Sequence, residues 1–347
     1  MSKKEFNAIV FIGRFQPVHN AHVKMLEKAG HLANKVITIF GSSKLPRSFK
    51  NPWIDRERGA MLEEVIKPLA EKTGAEYVYE FNPNTIYNND AWAIRIQRLV
   101  AKHTNEGDKV AMIGHKKDKT SFYLDMFPQW QLIEEKQIEP LSATQIRDVY
   151  FDPENCNLNW FTGVLPPSTI AYLRWFKDSP EYNKVAQERT FIMNYKKKYE
   201  HLPYEPVFLT TDAVVVQAGH ILMVTRKEQP GAGLLALPGG FVSASKDASV
   251  EDAMIRELME ETSIKVPEKV LRGNIQEMKV FDAIDRSTRG RTITHAFHIR
   301  LTDGEWKLPK VKGGDDAADA QWIPIGLVKS EECFEDHYDI IQYFLGE

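Results

Sequence analysis

The chain opens with an unbroken apolar run, Ala8-Ile9-Val10-Phe11-Ile12, closed by Gly13. Amphipathic helical spacing follows from about residue 19 to 33, and a second apolar run occupies residues 36–40. Strand, helix and strand in that order make a β-α-β unit. Further strand candidates at 77–81 and 110–114 alternate with helical stretches at 55–72 and 90–103, which predicts an α/β fold with a parallel sheet covered by helices on both faces. Between 181 and 206 the chain turns polar and tyrosine-rich, with Tyr195-Lys196-Lys197-Lys198-Tyr199, and reaches Pro203 and Pro206. This stretch is read as a linker between a first domain at 1–180 and a second at 207–347. From 208 onward the pattern is strand-like, with runs at 213–216 and 221–225 around a turn containing Gly219, then one long helix at about 250–262. No internal repeat and no low-complexity segment interrupts either half.

A length of 347 residues agrees with two domains, each able to bury its own core. With 43% hydrophobic and 27% charged residues the composition is that of a soluble globular protein. The net charge of −3 leaves no global basic footprint for nucleic acid or an anionic membrane, so anionic ligands have to be held locally. Cys156 and Cys333 are the only cysteines and have no metal-ligand spacing, which points to a reducing cytoplasm. No run approaches the ~18 apolar residues of a membrane helix.

The segment Gly13-Arg14-Phe15-Gln16-Pro17-Val18-His19-Asn20-Ala21-His22 lies where the first strand gives way to the first helix. A helix N-terminus there aims unpaired N–H groups and a positive dipole end at a phosphate. His19 and His22 share a face of the first turn and can donate to phosphoryl oxygens, although such a pair can equally cap a helix or pack in a core. Ser142, Thr144 and Arg147 form a second cluster at a helix start, where hydroxyls cap or bind phosphate and a guanidinium grips it with two donors. Following the strand at 110–114, the run His115-Lys116-Lys117-Asp118-Lys119 either lines the phosphate site or forms a solvated loop, and the site is favoured because ligands gather at the carboxyl ends of parallel strands. Lys196-Lys197-Lys198 is read as a solvated face.

Together these segments resemble the HxGH nucleotidyltransferases and, among them, the nicotinamide-mononucleotide adenylyltransferases, whose motifs read GRFQPxHxGH and SxTxxR. Ala21 stands where that pattern has glycine. The resemblance spans about the first 170 residues and implies a Rossmann-like domain that joins ATP to nicotinamide mononucleotide with Mg²⁺, giving NAD. It assigns ATP phosphates to His19 and His22, the triphosphate to Arg14 and Arg147, and substrate contacts to Gly13, Phe15, Ser142, Thr144, Gly114 and Lys116. Trp92 matches the tryptophan that stacks on nicotinamide, with Asn89 before it; Thr85 stands where an acidic residue is usual.

In the second half, Gly239-Gly240 precedes a helix containing Arg256-Glu257-Leu258-Met259-Glu260-Glu261. Glu257, Glu260 and Glu261 fall at i, i+3 and i+4, while Val250, Met254 and Leu258 share another face. Three carboxylates so close repel one another unless a cation sits among them, and Mg²⁺ prefers oxygen ligands. This pattern resembles the Nudix box, Gx5Ex7REUxEExGU. The loop is two residues longer, Asp247 lies beside Ala248 where glutamate is expected, and Ser263 replaces the second glycine. The resemblance, over residues 207–347, implies an α/β/α domain with a mixed sheet, with Glu257, Glu260 and Glu261 as Mg²⁺ ligands. Arg286, Arg289 and Arg291 suit a diphosphate by charge and fork geometry, the alternative being an arginine-rich surface turn, and the segments 286–291 and 313–324 resemble ADP-ribose-type domains. The order of domains resembles bacterial bifunctional adenylyltransferase/Nudix proteins. Two readings follow for the second half: ADP-ribose hydrolysis, or a module that senses ADP-ribose or NAD without cleaving it.

Overall fold

The computed structural model describes residues 4–116, 119–135, 142–301 and 307–346. It forms two compact units, Met1–Arg189 and Thr190–Glu347. The apolar runs of the first half become the strands β1 (Phe6–Gly13), β2 (Ala33–Ser43), β3 (Glu76–Pro83), β4 (Val110–Gly114) and β5 (Gln131–Glu134). All four pairings are parallel, in the order β3-β2-β1-β4-β5. The connections run through α1 (Asn20–Leu32), α2 (Asp55–Thr73), α3 (Asn89–Ala101) and a 3-10 turn at Lys119–Asp125. On one face of the sheet Val10 and Ile12, Ile37 and Ile39, and Met112 pack with Ala93, Ile96 and Val100 of α3. Because the chain winds from β1 outward to β3 and then returns to β4, the crevice opens at the carboxyl ends of β1 and β4. The segment after Gly13 and the loop after Gly114 both start there. Helices α4 (Ala143–Tyr150) and α5 (Pro167–Phe176) follow.

The second unit has a mixed seven-stranded sheet: β6 (Val207–Gln217), β7 (His220–Arg226), β8 (Leu235–Ala236), β9 (Gly239–Phe241), β10 (Ile275–Phe281), β11 (Arg291–Arg300) and β12 (Ala317–Pro324). Its main path is β10-β11-β6-β7-β12, parallel only between β11 and β6. The helix expected at 250–262 is α7 (Val250–Thr262), and its Met254, Ile255 and Leu258 sit on Ala213, Val215 and Leu222. The short α8 (Glu268–Gly273) and the terminal α9 (His337–Leu345) complete the unit.

The stretch read as a linker differs from that expectation. Helix α6 covers Pro180–Lys197, and the division between the two units falls within it. Tyr182, Val185, Ala186 and Ile192 are buried at helical spacing, a stripe hidden in a composition of lysine, asparagine and tyrosine. No helix among the described residues is long and apolar enough to cross a membrane.

Ser263 closes α7 in the left-handed conformation, at φ 45°, ψ 32°. A side chain is strained there, which gives the physical reason for a glycine at this point of the box. Ser263→Gly is expected to stabilise the second unit by about 1 kcal/mol. A lowered thermal midpoint for that unit would count against this account of the helix end.

Candidate active sites

In the first unit, the segment after β1 is fixed from below. Phe15 adopts φ 52° and is buried, its ring 5.3 Å from that of Phe11, 4.5 Å from His22 and 5.0 Å from Phe40. The Gln16 amide pairs reciprocally with the Trp53 peptide, Nε2 donating to the carbonyl at 2.8 Å and Oε1 accepting from the N–H at 3.1 Å. Arg147 is almost wholly buried and donates to the Gln16 carbonyl at 2.8 Å and the Thr144 hydroxyl at 3.1 Å. Arg58, 0% exposed, donates to the carbonyls of Arg14, Gly41 and Ser42 and to Asp55. Arg14 stays exposed. Burial, and then the Arg14 charge, bring the Arg147 guanidinium down to about 10. Two cations near enough to disfavour each other are stabilised when an anion lies beside them.

His19 and His22 stack with ring centroids 3.7 Å apart. The His19 N–H donates to His22 Nδ1 at 3.2 Å, so the His22 proton sits on Nε2. Burial, and then His19, hold the His22 imidazole well below its ordinary value. It is therefore a neutral Nε2–H donor at neutral pH. The helix-capping and phosphate-donor readings are compatible, since one ring nitrogen serves each.

Other predicted residues divide. Ser142 is the N-cap of α4, accepting from the Gln145 N–H while Gln145 Oε1 accepts from the Ser142 N–H, so its hydroxyl is engaged in capping. Lys116 pairs on the surface with Asp125 at 2.6 Å. Lys117 and Asp118, named with it, lie outside the described residues. Gly114 closes β4 under Leu124, whose side chain a Cβ would meet at 2.6 Å. Trp92 is half-buried on α3, 6.0 Å from the rings of Tyr123 and Phe127. Asn89 is exposed one turn before it, and the N-cap of α3 is Asn88.

In the second unit the three glutamates do not act alike. Arg256 supplies the cation for two of them, at 2.7 Å to Glu257 and 3.0 Å to the exposed Glu260. Asp247 holds Arg256 with both carboxylate oxygens at 2.8 Å, which keeps the Asp247 carboxyl down at about 2. Asp247 thus substitutes for the expected glutamate by bracing the arginine. Glu261 is buried and accepts from the Gly239 N–H at 2.9 Å. Burial, together with Glu257 and Asp212, raises its carboxyl to about 8. Gly239 has to be glycine, since a Cβ there would meet the Thr211 carbonyl oxygen at 2.1 Å, whereas at Gly240 a Cβ would meet only the end of the Glu257 side chain, at 2.7 Å. Among the described residues no three His, Cys, Asp or Glu side chains converge as a ready ligand set. The buried Glu261 carboxyl, with Glu257 near it, nevertheless has the donor chemistry that suits a hard divalent cation.

The predicted arginines also separate. Arg286 is a correction: it is buried in a two-pronged pair with Asp336, 2.8 Å on both prongs, so its fork is spent inside the fold. Arg291 is tied back to Asp282 by the turn it follows. Arg289 lies over the rings of Phe241, at 5.3 Å, and Phe334, at 5.9 Å. Sequence reasoning missed Arg226, which ends β7 over Phe334 at 4.0 Å. Among the described residues neither Arg226 nor Arg289 is ion-paired. Burial, and then Arg289, lower the Arg226 guanidinium. Its position at the end of the strand-like run after Gly219 was the available signal. Arg58 was likewise passed over as a brace, because only the fold brings the three carbonyls together.

Comparison with known proteins agrees with both halves. A Cytidylyltransferase-like family matches residues 10–149 and the NUDIX domain matches residues 208–344. A nicotinamide/nicotinic acid mononucleotide adenylyltransferase of Acinetobacter baylyi is 32% identical over 185 residues, 53% of this chain and 94% of that protein. A crystal structure of a bifunctional NMN adenylyltransferase/ADP ribose pyrophosphatase from Francisella tularensis superposes with TM-score 0.88 at 32% identity, covering 99% of both chains. A second structure from that organism, with AMP and a Mn ion, gives TM-score 0.86 at 31% identity over 98% of both.

The raised Glu261 carboxyl has a consequence for stability. The folded state binds this proton more tightly than the unfolded chain, so its contribution is complete below about pH 4.5 and is lost as pH rises through about 8. In chelator, the second unit is expected to lose stability from pH 5 to 8, and Glu261→Gln is expected to flatten that slope. Parallel slopes for both proteins in denaturant titrations would contradict the assignment.

Proposed function

This chain belongs to the family of bifunctional NMN adenylyltransferase/ADP-ribose pyrophosphatases, and on that footing we propose how its residues divide the two reactions. The first unit transfers AMP from ATP to nicotinamide mononucleotide, giving NAD and pyrophosphate. The second hydrolyses ADP-ribose to AMP and ribose 5-phosphate. The observation that carries the first assignment is the stacked His19–His22 pair at the start of α1, with His22 Nδ1 taken by the His19 N–H and its Nε2–H left to donate, on a segment held by Arg58 and Arg147. The mononucleotide phosphate is itself an anionic nucleophile, so the protein supplies position and charge rather than a base. We assign His22 and His19 to phosphoryl oxygens, Arg14 and the brace Arg147 to the triphosphate, and Trp92 with Asn89 to the pyridine ring.

For the second reaction we assign Glu261 and Glu257 to a divalent cation, taken as Mg²⁺, which when bound offsets diphosphate charge and activates water. Arg256, braced by Asp247, orients Glu257 and Glu260. Arg289 takes substrate phosphate, whereas Arg286 and Arg291 serve the fold. Cys156 and Cys333 are free thiols, in keeping with a cytoplasmic enzyme.

His22→Ala is expected to lower NAD formation by about 10²–10³ in kcat with ADP-ribose cleavage retained. Glu261→Gln is expected to do the reverse. Both activities measured on each preparation decide the matter: unchanged NAD formation in the first variant removes His22 from the chemistry, and unchanged cleavage in the second removes Glu261. Absence of cleavage by the unaltered chain over a wide Mg²⁺ range would favour a sensing domain.

Trp92→Ala is expected to raise KM for the mononucleotide severalfold more than KM for ATP, since ring stacking contributes about 1 kcal/mol beyond area. Equal effects on both substrates would return Trp92 to a purely packing role on Tyr123 and Phe127.

A further inference from the structure

Helix α9 reaches the acidic site through the backbone. Just before α9 the chain runs beside the segment that carries β8 and β9: Leu235 pairs with Cys333 in a parallel bridge, and the Phe334 N–H donates to the Leu235 carbonyl at 2.8 Å. Two residues on, the Leu237 N–H donates at 2.9 Å to Nδ1 of His337, the first residue of α9. The Pro238 carbonyl then accepts from the Ala213 N–H at 2.8 Å, and the Gly239 N–H donates to Glu261 Oε2 at 2.9 Å. Leu237, Pro238 and Gly239 are thus gripped in turn by α9, β6 and α7.

His337 is itself held in place. It is buried, and because Nδ1 accepts from a peptide N–H the ring is neutral with its proton on Nε2. Nε2 lies 4.0 Å from Asp212 Oδ1, too far for a hydrogen bond but near enough for the carboxylate to orient the ring by charge. The other Asp212 oxygen accepts from the Thr294 hydroxyl at 2.5 Å. Burial, against the opposing pull of Asp212 and Asp336, keeps the imidazole below its ordinary value. One residue earlier, Asp336 is fixed by both prongs of Arg286, so the start of α9 cannot drift from the strand it grips. Filling the space would take only an apolar side chain; an imidazole supplies the acceptor that the Leu237 N–H needs.

We propose that His337 is a positioning residue for the cation site: it fixes the Leu237–Gly239 peptides so that the Gly239 N–H holds one carboxylate oxygen of Glu261 and sets the orientation in which that carboxyl meets a divalent cation. Asp212 orients the ring, and the Arg286–Asp336 pair anchors the helix start. This rests on the assignment of Glu261 to the metal and deepens it, because residues of α9, outside the acidic helix motif, then help to set metal affinity. His337 touches neither cation nor substrate and acts through the backbone. Loss of a group that holds a metal ligand in place costs about 10–100-fold in metal affinity or activity.

The test uses the full chain, cleared of metal and titrated calorimetrically with Mn²⁺, and follows ADP-ribose cleavage against Mg²⁺ concentration in parallel. His337→Leu keeps the bulk and removes the acceptor, whereas His337→Asn loses bulk and keeps an acceptor for the Leu237 N–H. His337→Leu is expected to weaken Mn²⁺ binding about tenfold or more and to raise the Mg²⁺ needed for half-maximal cleavage to match, with KM for ADP-ribose at saturating Mg²⁺ and NAD formation unchanged. His337→Asn is expected to stay close to the unaltered chain in both. A residue that only packs gives the opposite order, with leucine the better tolerated. That order, or a shift in KM for ADP-ribose with Mn²⁺ affinity unchanged, would overturn the proposal. If His337→Leu does not fold its second unit, judged by melting in chelator, the asparagine variant decides: unaltered Mn²⁺ affinity supports the proposal and a loss of about tenfold overturns it. His337-dependent Mn²⁺ binding by a chain that leaves ADP-ribose intact would keep the positioning role and reject the hydrolase reading. Mn²⁺ binding that Glu261→Gln leaves unchanged would reject the metal assignment and the proposal with it.

Discussion

Buried guanidiniums that donate into the protein itself are what both sites depend on. A loop that receives phosphate has to keep its outward N–H groups and charges unspent, yet remain rigid. Arg58 meets that requirement by gathering three carbonyls from the ends of β1 and β2 and a carboxylate from α2. Arg147 does the same for the Gln16 carbonyl from α4. Removing either would leave buried carbonyls without donors, each at about 1–3 kcal/mol. The loop can therefore hold Phe15 at a positive φ and keep Arg14 in solvent. Arginine suits this work because its planar fork satisfies several acceptors at once and stays charged when buried.

The second unit solves the same problem with carboxylates as the acceptors. Asp247 fixes Arg256, and Arg256 fixes Glu257 and Glu260, while Asp336 fixes Arg286 under the loop that leads to Arg289. Arg286 and Asp336 neutralise each other, whereas Asp247, Glu257 and Glu260 share the single Arg256. Among the described residues Glu261, Arg226 and Arg289 stand outside these ion pairs, with Arg226 and Glu261 near enough to feel each other's charge.

The structure also changes the standing of the connecting segment. A helix with Tyr182, Val185, Ala186 and Ile192 buried along one stripe is an ordered element, and its later rings reach Phe208 of the second sheet. The lysines that gave the stretch its polar character sit on the exposed side.

What the sequence determined by itself is whatever depends on short range. Runs such as Ala8–Ile12 specify strands because apolar residues at consecutive positions need cover on both faces, and the period of 3.6 in 250–262 specifies α7. The two motif segments identified both chemistries, since GRFQP with the paired histidines, and REUxEE on one helix, bring their groups together within a turn or two. Tertiary structure alone decided which charges are spent. Arg286 and Arg289 are three residues apart and equal in sequence, yet one is buried against Asp336, fifty positions away, and the other lies over the Phe241 ring. Ser142, read from sequence as a cap or a phosphate ligand, caps α4, and Asp247, beside the position where the box has glutamate, braces Arg256. The physical reason is that an ionic or polar side chain takes its role from its nearest partner and its exposure, and both are set by chain segments that only the fold brings within reach.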